Sequence, residues 1–215
     1  MSRPAARKAA PKGEYIETDS GNKVSRRSAI TGTANITLGG RTVIMSDVHL
    51  RGDLHATRPS PSTGGSSSKP PAQTAISIGR CTVVSTGSVL KPPSRISRGI
   101  VQYYPLKIGD NVYIGPNCCI SAIAISNHVH IAANVTIGAF AIIKEGVKIL
   151  DGCVVPPNMV VPSGSVVGGR PARIVGEVGE GWGVSGGGGG VVGGAEGVEK
   201  WVEGGDLREL VRSIK

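Results

Sequence analysis

Aliphatic residues recur along this chain at a spacing of six. From Ile108 the series runs through Ile114 and Ile120, then, after one five-residue step, Ile125, Ile131, Ile137, Ile143, Ile149, Val155, Val161 and Val167. Six is a multiple of the strand period of two, so these side chains all point to one side, whereas a helical period of 3.6 would scatter them around an axis. Upstream the comb reads Ile30, Ile36, Thr42, Val48, Leu54, Ile78, Val84 and Leu90, and Thr42 alone among these places is not aliphatic. The next place is often glycine (Gly79, Gly109, Gly115, Gly138), and the fifth is mostly small or β-branched, as at Thr82, Ser88, Val112, Val135, Ala141 and Val147. Three hexads per turn make a triangular prism whose coils stack at ~4.8 Å, and a glycine at a bend lets one coil approach the next. The pattern predicts an all-β fold, a parallel β-helix of about six turns.

The same pattern divides the chain. Residues 1–13 read as a basic tail, 14–175 as the β-helix, 176–195 as a glycine-rich linker and 196–215 as a C-terminal helix carrying Val198, Val202, Leu207, Leu210, Val211 and Ile214, divided at Gly204-Gly205. Two loops interrupt the comb, and the steps from Leu54 to Ile78 and from Leu90 to Ile108 are both multiples of six, so the phase is expected to survive them. The loop at 57–74 is a Ser/Pro/Gly linker without packing residues. The loop at 91–107 carries Tyr103 and Tyr104 on an aromatic-poor chain, which argues for an ordered protrusion.

Composition agrees with a solenoid. Aromatic residues are 3% of the chain against 33 glycines and 14 prolines, so the core must be built from stacked Ile, Val and Leu. Cys81, Cys118, Cys119 and Cys153 have no Cys-x-x-Cys spacing and read as small core residues in a reducing compartment. The net charge of +9 is spread over Arg3, Arg7, Lys8, Lys12, Arg26, Arg27 and loop positions; without a basic stripe interleaved with aromatics it does not indicate nucleic-acid binding. No apolar run reaches the ~18 residues that span a membrane. The start through Lys12 reads as a solvated tail, with a mitochondrial presequence as the alternative, weakened by Pro4 and Pro11.

The comb, Arg51-Gly52-Asp53 and the closing Gly169-Arg170-Pro171-Ala172-Arg173 resemble the left-handed β-helix superfamily of γ-class carbonic anhydrases and hexapeptide acyltransferases. The left hand is what that resemblance implies. Laying the γ-carbonic-anhydrase pattern along the chain matches Arg51 and Asp53, but puts the glutamine place on Val84 and the three zinc-histidine places on Lys91, Pro116 and Ser121. Those side chains cannot supply the donors zinc needs, so no metal, cofactor or hydratase chemistry is expected. His49, His55, His128 and His130 occupy none of the ligand places; His128 and His130 could share one strand face, and His130 is the candidate base if the chain were an acyltransferase.

A longer match runs from Glu14 to about Val175: Glu14-Tyr15-Ile16-Glu17-Thr18, Ser20-Gly21-Asn22-Lys23-Val24-Ser25-Arg26, Arg51-Gly52-Asp53-Leu54, Lys91-Pro92-Pro93, and Lys148-Ile149-Leu150-Asp151 with Val155-Pro156-Pro157. These segments resemble the dynactin subunit 5 family of small β-helical pointed-end subunits. The resemblance implies a non-catalytic structural role in the cytoplasm and cytoskeleton. It also implies pairing with dynactin subunit 6, attachment to dynactin subunit 4 and the pointed-end actin-related protein, and help in dynein cargo-adaptor recognition for microtubule-based transport. The alternative is a hexapeptide acyltransferase or carbonic-anhydrase-like protein. For a docking module the candidate interface residues are Arg51, Asp53, Tyr103 and Tyr104, a charged pair and an aromatic pair of the kinds that anchor interfaces.

Overall fold

The computed structural model describes residues 13–55, 74–179, 182 and 204–214. The basic tail, most of the 57–74 loop, most of the glycine-rich linker and residues 196–203 lie outside them. Two- to four-residue strands stack in parallel into three long sheets, which are the faces of a prism. The first face carries the inward column Val24, Ile44, Val84, Ile114, Ile131, Ile149 and Val167. The second carries Ile30, Leu50, Leu90, Ile120, Ile137 and Val155. The third carries Leu38, Ile78, Ile108, Ile125, Ile143 and Val161. One step along each face makes a coil, so the chain completes six coils and begins a seventh. Ile44, Leu50, Ile114, Ile120, Ile131, Ile137 and Ile149 are all at most 1% exposed, so burial of these columns drives folding.

These columns correct the comb upstream of the first loop. Thr42 and Val48 do not stand in the inward column; they stack in register with Thr82 and Ser88, which makes them fifth-place residues. The column residues are Leu38, Ile44 and Leu50, each two positions downstream of the expected Ile36, Thr42 and Val48. The cause is local: a 3₁₀ turn at Thr33–Asn35 lengthens the step from Ile30 to Leu38 to eight residues. Thr42 is fully buried because its hydroxyl donates to the Gly79 carbonyl of the next coil at 2.8 Å, a bond an inward aliphatic place could not use. The first loop therefore separates Leu50 from Ile78, not Leu54 from Ile78, and that step of 28 is not a multiple of six.

With the register corrected, every departure from six falls at one corner. The steps from first to second face and from third to first face are uniformly six. Between second and third face they are eight (Ile30 to Leu38), 28 (Leu50 to Ile78), 18 (Leu90 to Ile108) and five (Ile120 to Ile125), before becoming regular at Ile137 to Ile143 and Val155 to Val161. One edge of the prism thus carries all its irregular chain, while the other two corners stay tight.

The two ends differ. At the C-terminal end the chain turns at Arg170-Pro171, buries Ala172 completely, and runs Arg173–Glu177 back antiparallel to Ser165–Gly168. At the N-terminal end Tyr15–Glu17 pairs antiparallel with Lys23–Ser25, but Ala29–Thr31 and Ile36–Leu38 each have a neighbour on one edge only among the described residues. Val24, Ile30, Ile36 and Leu38 are there only partly buried.

Among the described residues the C-terminal helix spans Arg208–Ser213; the expected stretch at 196–203 lies outside them. Leu207, Leu210 and Val211 bury against the outward side chains Val43 and Val83 of the first face, with Tyr15, Met45 and Tyr113 around them. Lys23 Nζ donates to the Val211 and Ile214 carbonyls at 3.1 and 2.6 Å, tying down the helix end. A helix of six residues does not persist alone, so this wall holds it. Cys81, Cys118 and Cys153 are buried and Cys119 partly so; burial pushes the Cys118 and Cys153 thiols up, away from the nucleophilic thiolate.

Candidate docking surface

The irregular corner gathers all four candidate interface residues, Arg51 and Asp53 between Leu50 and Ile78 and Tyr103 and Tyr104 between Leu90 and Ile108. Arg51 follows Leu50 as the second coil leaves its second face, and its guanidinium donates twice to Asp53, Nε to Oδ1 at 2.9 Å and Nη2 to Oδ2 at 2.8 Å. Thr31 Oγ1, one coil below, donates to the same carboxylate at 2.6 Å. The hydrogen bonds from Arg51 and then Thr31 hold the Asp53 carboxyl well below the usual carboxylate range. A depressed carboxyl keeps its partners above that value and loses them only as pH falls through it, so the pair persists through mild acid. The bond to Asp53 and the attraction of its charge raise Arg51 in turn, with a smaller electrostatic share from Tyr103. Both charged side chains remain 39–46% exposed, so the pair organises the corner more than it stabilises the fold.

The ordered protrusion is a β-hairpin. Ser94–Ser97 pairs antiparallel with Ile100–Tyr103, and both residues of the turn, Arg98 and Gly99, have positive φ (50° and 76°). That is the geometry of a two-residue turn whose twist matches the strands. Ile96 lies opposite Val101 and Ser94 opposite Tyr103, so Ile96, Val101 and Tyr103 share one face and Arg95, Ile100 and Gln102 share the other. Ile96, Ile100 and Val101 are 72%, 66% and 49% exposed. Apolar side chains held this far out on a protrusion mark interaction surfaces.

Tyr104 takes a different part. Its ring meets Phe140 edge-on at 5.2 Å, and Arg95 lies over the same Phe140 ring at 5.2 Å. Phe140 adopts φ 61°, which is uncommon for a bulky side chain; here the ring is fixed between the hairpin base and the fifth coil. The hairpin thus stands with its Tyr103 face toward Arg51 in the second coil and its Arg95 face toward Phe140 in the fifth. Sequence reading missed Phe140 and the exposed aliphatic residues of the hairpin. The signals were present: Phe140 is the chain's one phenylalanine, and Arg98-Gly99 between Ile96-Ser97 and Ile100-Val101 is a hairpin turn.

The histidines are dispersed. His55 Nδ1 lies 3.0 Å from the Asp53 carbonyl and 3.2 Å from Asn35 Nδ2. His128 Nδ1 lies 2.9 Å from the Gly204 carbonyl, while Trp182 Nε1 donates to the His128 carbonyl at 3.2 Å; these bonds help seat the C-terminal segment. His130 is 7% exposed and stacked on Tyr113 at 5.0 Å, away from the irregular corner. Lys91 stands in the third coil and Pro116 and Ser121 in the fourth, and among the described residues no three His, Cys, Asp or Glu side chains converge on a point. Among the described residues no helix is long and apolar enough to cross a membrane.

Solved structures of this form include a hexapeptide transferase family protein from Anaplasma phagocytophilum. It is 20% identical with a TM-score of 0.50, over 74% of this chain and 80% of that one. Another is the N-acyltransferase AntD from Bacillus cereus, 14% identical with a TM-score of 0.54, over 73% and 80%. At these identities only the fold is shared, the left-handed parallel β-helix of hexapeptide repeats. Dynactin subunit 5 of Dictyostelium discoideum is 37% identical over 116 residues, which are 54% of this chain and 49% of the relative; the match spans about half the length of that curated relative. The family model for dynactin subunit 5 matches residues 7–68 and 71–183, both sides of the first loop and nearly the whole β-helix. The chain belongs to the dynactin subunit 5 family.

Proposed function

We propose that this chain is a non-catalytic structural subunit of the pointed-end complex of dynactin, supporting dynein-dependent microtubule transport and cargo-adaptor binding. Membership of the dynactin subunit 5 family supports a place in dynactin. The proposed neighbours are dynactin subunit 6, dynactin subunit 4 and the pointed-end actin-related protein, with dynein cargo adaptors reached through the assembled complex. The observation that carries the reading is the single irregular corner. Six rigid coils hold there a bidentate ion pair, a tyrosine and a hairpin with exposed aliphatic residues, a set suited to docking on another protein. The partly covered N-terminal coil, with two one-sided strands and half-buried Val24, Ile30 and Ile36, is a second surface that a partner could continue.

The proposal is tested at the hairpin. The triple variant Ile96→Ser, Val101→Ser, Tyr103→Ala should retain its circular dichroism and melting temperature, because none of these side chains is in the core. Its yield in co-purification with the other dynactin subunits should fall at least about tenfold, the loss typical of removing a hot spot. Wild-type yield would remove the hairpin from the interface.

A further inference from the structure

We infer that the corner between the third and first faces is a binding site for a phosphate dianion, free or as a monoester. A cavity of about 480 Å³ opens there, lined by Arg41, Arg80, Arg208, Asp110, Cys81 and Ser20 among others. Arg41 and Arg80 occupy equivalent corners of successive coils, because each follows an inward residue of the third face, Leu38 or Ile78. Arg208 is brought in from the first turn of the C-terminal helix. In sequence the three are scattered over 168 positions, so the +9 charge reads as dispersed; coil stacking and helix docking collect them.

The lining is left with positive charge to satisfy. Asp110 is its one carboxylate, and its contacts are both to Arg80: Oδ1 accepts the Arg80 backbone N–H at 2.6 Å, and Oδ2 lies 3.9 Å from Arg80 Nε. Arg208 meets Asp206 at 3.1 Å, outside the lining. The Arg41 guanidinium makes no ion pair or hydrogen bond among the described residues. Three guanidiniums against Asp110 and, behind Arg208, Asp206 leave a charge of +1, so the opening attracts an anion, and a dianion more strongly than a monoanion. Guanidinium groups present paired N–H donors that match phosphate oxygens two at a time. The opening admits either free phosphate or a phosphorylated side chain, and both carry the same group.

The full chain is titrated with inorganic phosphate and with O-phosphoserine at constant ionic strength, and the thermal midpoint is followed, with sulfate as the control for non-specific salt stabilisation. The site predicts a saturable rise with at least one phosphate probe. That rise should weaken from pH 7.5 to 5.5 as the phosphate group, whose second pKa is near ~6 in the monoester, loses its second charge, while any response to sulfate stays constant. Tighter binding of phosphoserine would identify a phosphorylated side chain as the ligand, and tighter binding of inorganic phosphate the free ion. Arg41→Ser with Arg80→Ser should weaken the apparent affinity at least about tenfold without moving the midpoint in chloride, whereas Arg26→Ser with Arg27→Ser should leave it intact. If the first pair of changes lowers the midpoint in chloride, Arg41→Lys with Arg80→Lys, which keeps the charge and removes the fork, must still bind more weakly than the parent chain. No saturable rise, an equal rise in the Arg41/Arg80 variants, or loss in the Arg26/Arg27 variant would overturn the inference.

Discussion

Ile137→Asp should abolish the soluble folded protein or lower its melting temperature by at least about 10 °C. Ile137 is 1% exposed and stacked in register between Ile120 and Val155 in the inward column of the second face. A carboxylate there would lose water and find no donor among aliphatic neighbours, a cost of several kcal/mol even after it takes up a proton. Such a cost is a large fraction of the stability of any domain of this size. The neighbouring Thr136 points outward and is exposed, so Thr136→Asp should change stability by no more than about 0.5 kcal/mol. Thermal melts of the two variants read the alternation directly, and equal melting of both would refute the register.

Gly115→Val should be nearly as damaging, with a loss of roughly 3 kcal/mol read by chemical denaturation. The argument is space: a Cβ on Gly115 would lie 2.6 Å from the Ala132 carbonyl carbon and oxygen and 2.9 Å from the Ala133 nitrogen of the next coil. Those atoms are backbone, fixed by the stacking bond from Gly115 N to the Ile131 carbonyl at 2.8 Å, so the coils would have to part. Gly176 lies in the exposed strand Arg173–Glu177, where a Cβ meets nothing within 4 Å, and Gly176→Val should be silent. An unchanged denaturation midpoint for Gly115→Val would mean that the coils are not held at the close spacing the glycine serves.

The downstream half of the prism was legible because it is periodic. From Ile108 to Val167 each inward residue stands where the comb predicts, and the glycines after Ile78, Ile108, Ile114 and Ile137 meet the next coil as expected. Upstream the comb slipped by two residues, and Thr42 was the visible sign. A periodic reading absorbs one polar exception, whereas the 3₁₀ turn at Thr33–Asn35 that explains it has no apolar signature of its own. Apolar spacing does not show where wall contact begins; among the described residues the helix starts at Arg208, after Leu207 reaches Val43 and Val83. Of the candidate interface, Arg51 with Asp53 could be read from adjacency, and Tyr103 from its rarity. That Tyr103 is felt by Arg51 while Tyr104 turns to Phe140 depends on hairpin alternation and on a contact between coils two apart, which no local window contains. The Arg41–Arg80–Arg208 grouping was hidden for the same reason.

The central claim is that this β-helix docks within dynactin through its irregular corner, and cross-linking mass spectrometry on the natively purified, tagged chain tests it most directly. Lys91 and Lys107 are exposed on either side of the hairpin, within reach of whatever covers it. The account predicts that the other dynactin subunits co-purify in near-stoichiometric amounts and that Lys91 and Lys107 cross-link to one of them. Purification without dynactin subunits, or with cross-links confined to lysines away from that corner, would contradict it.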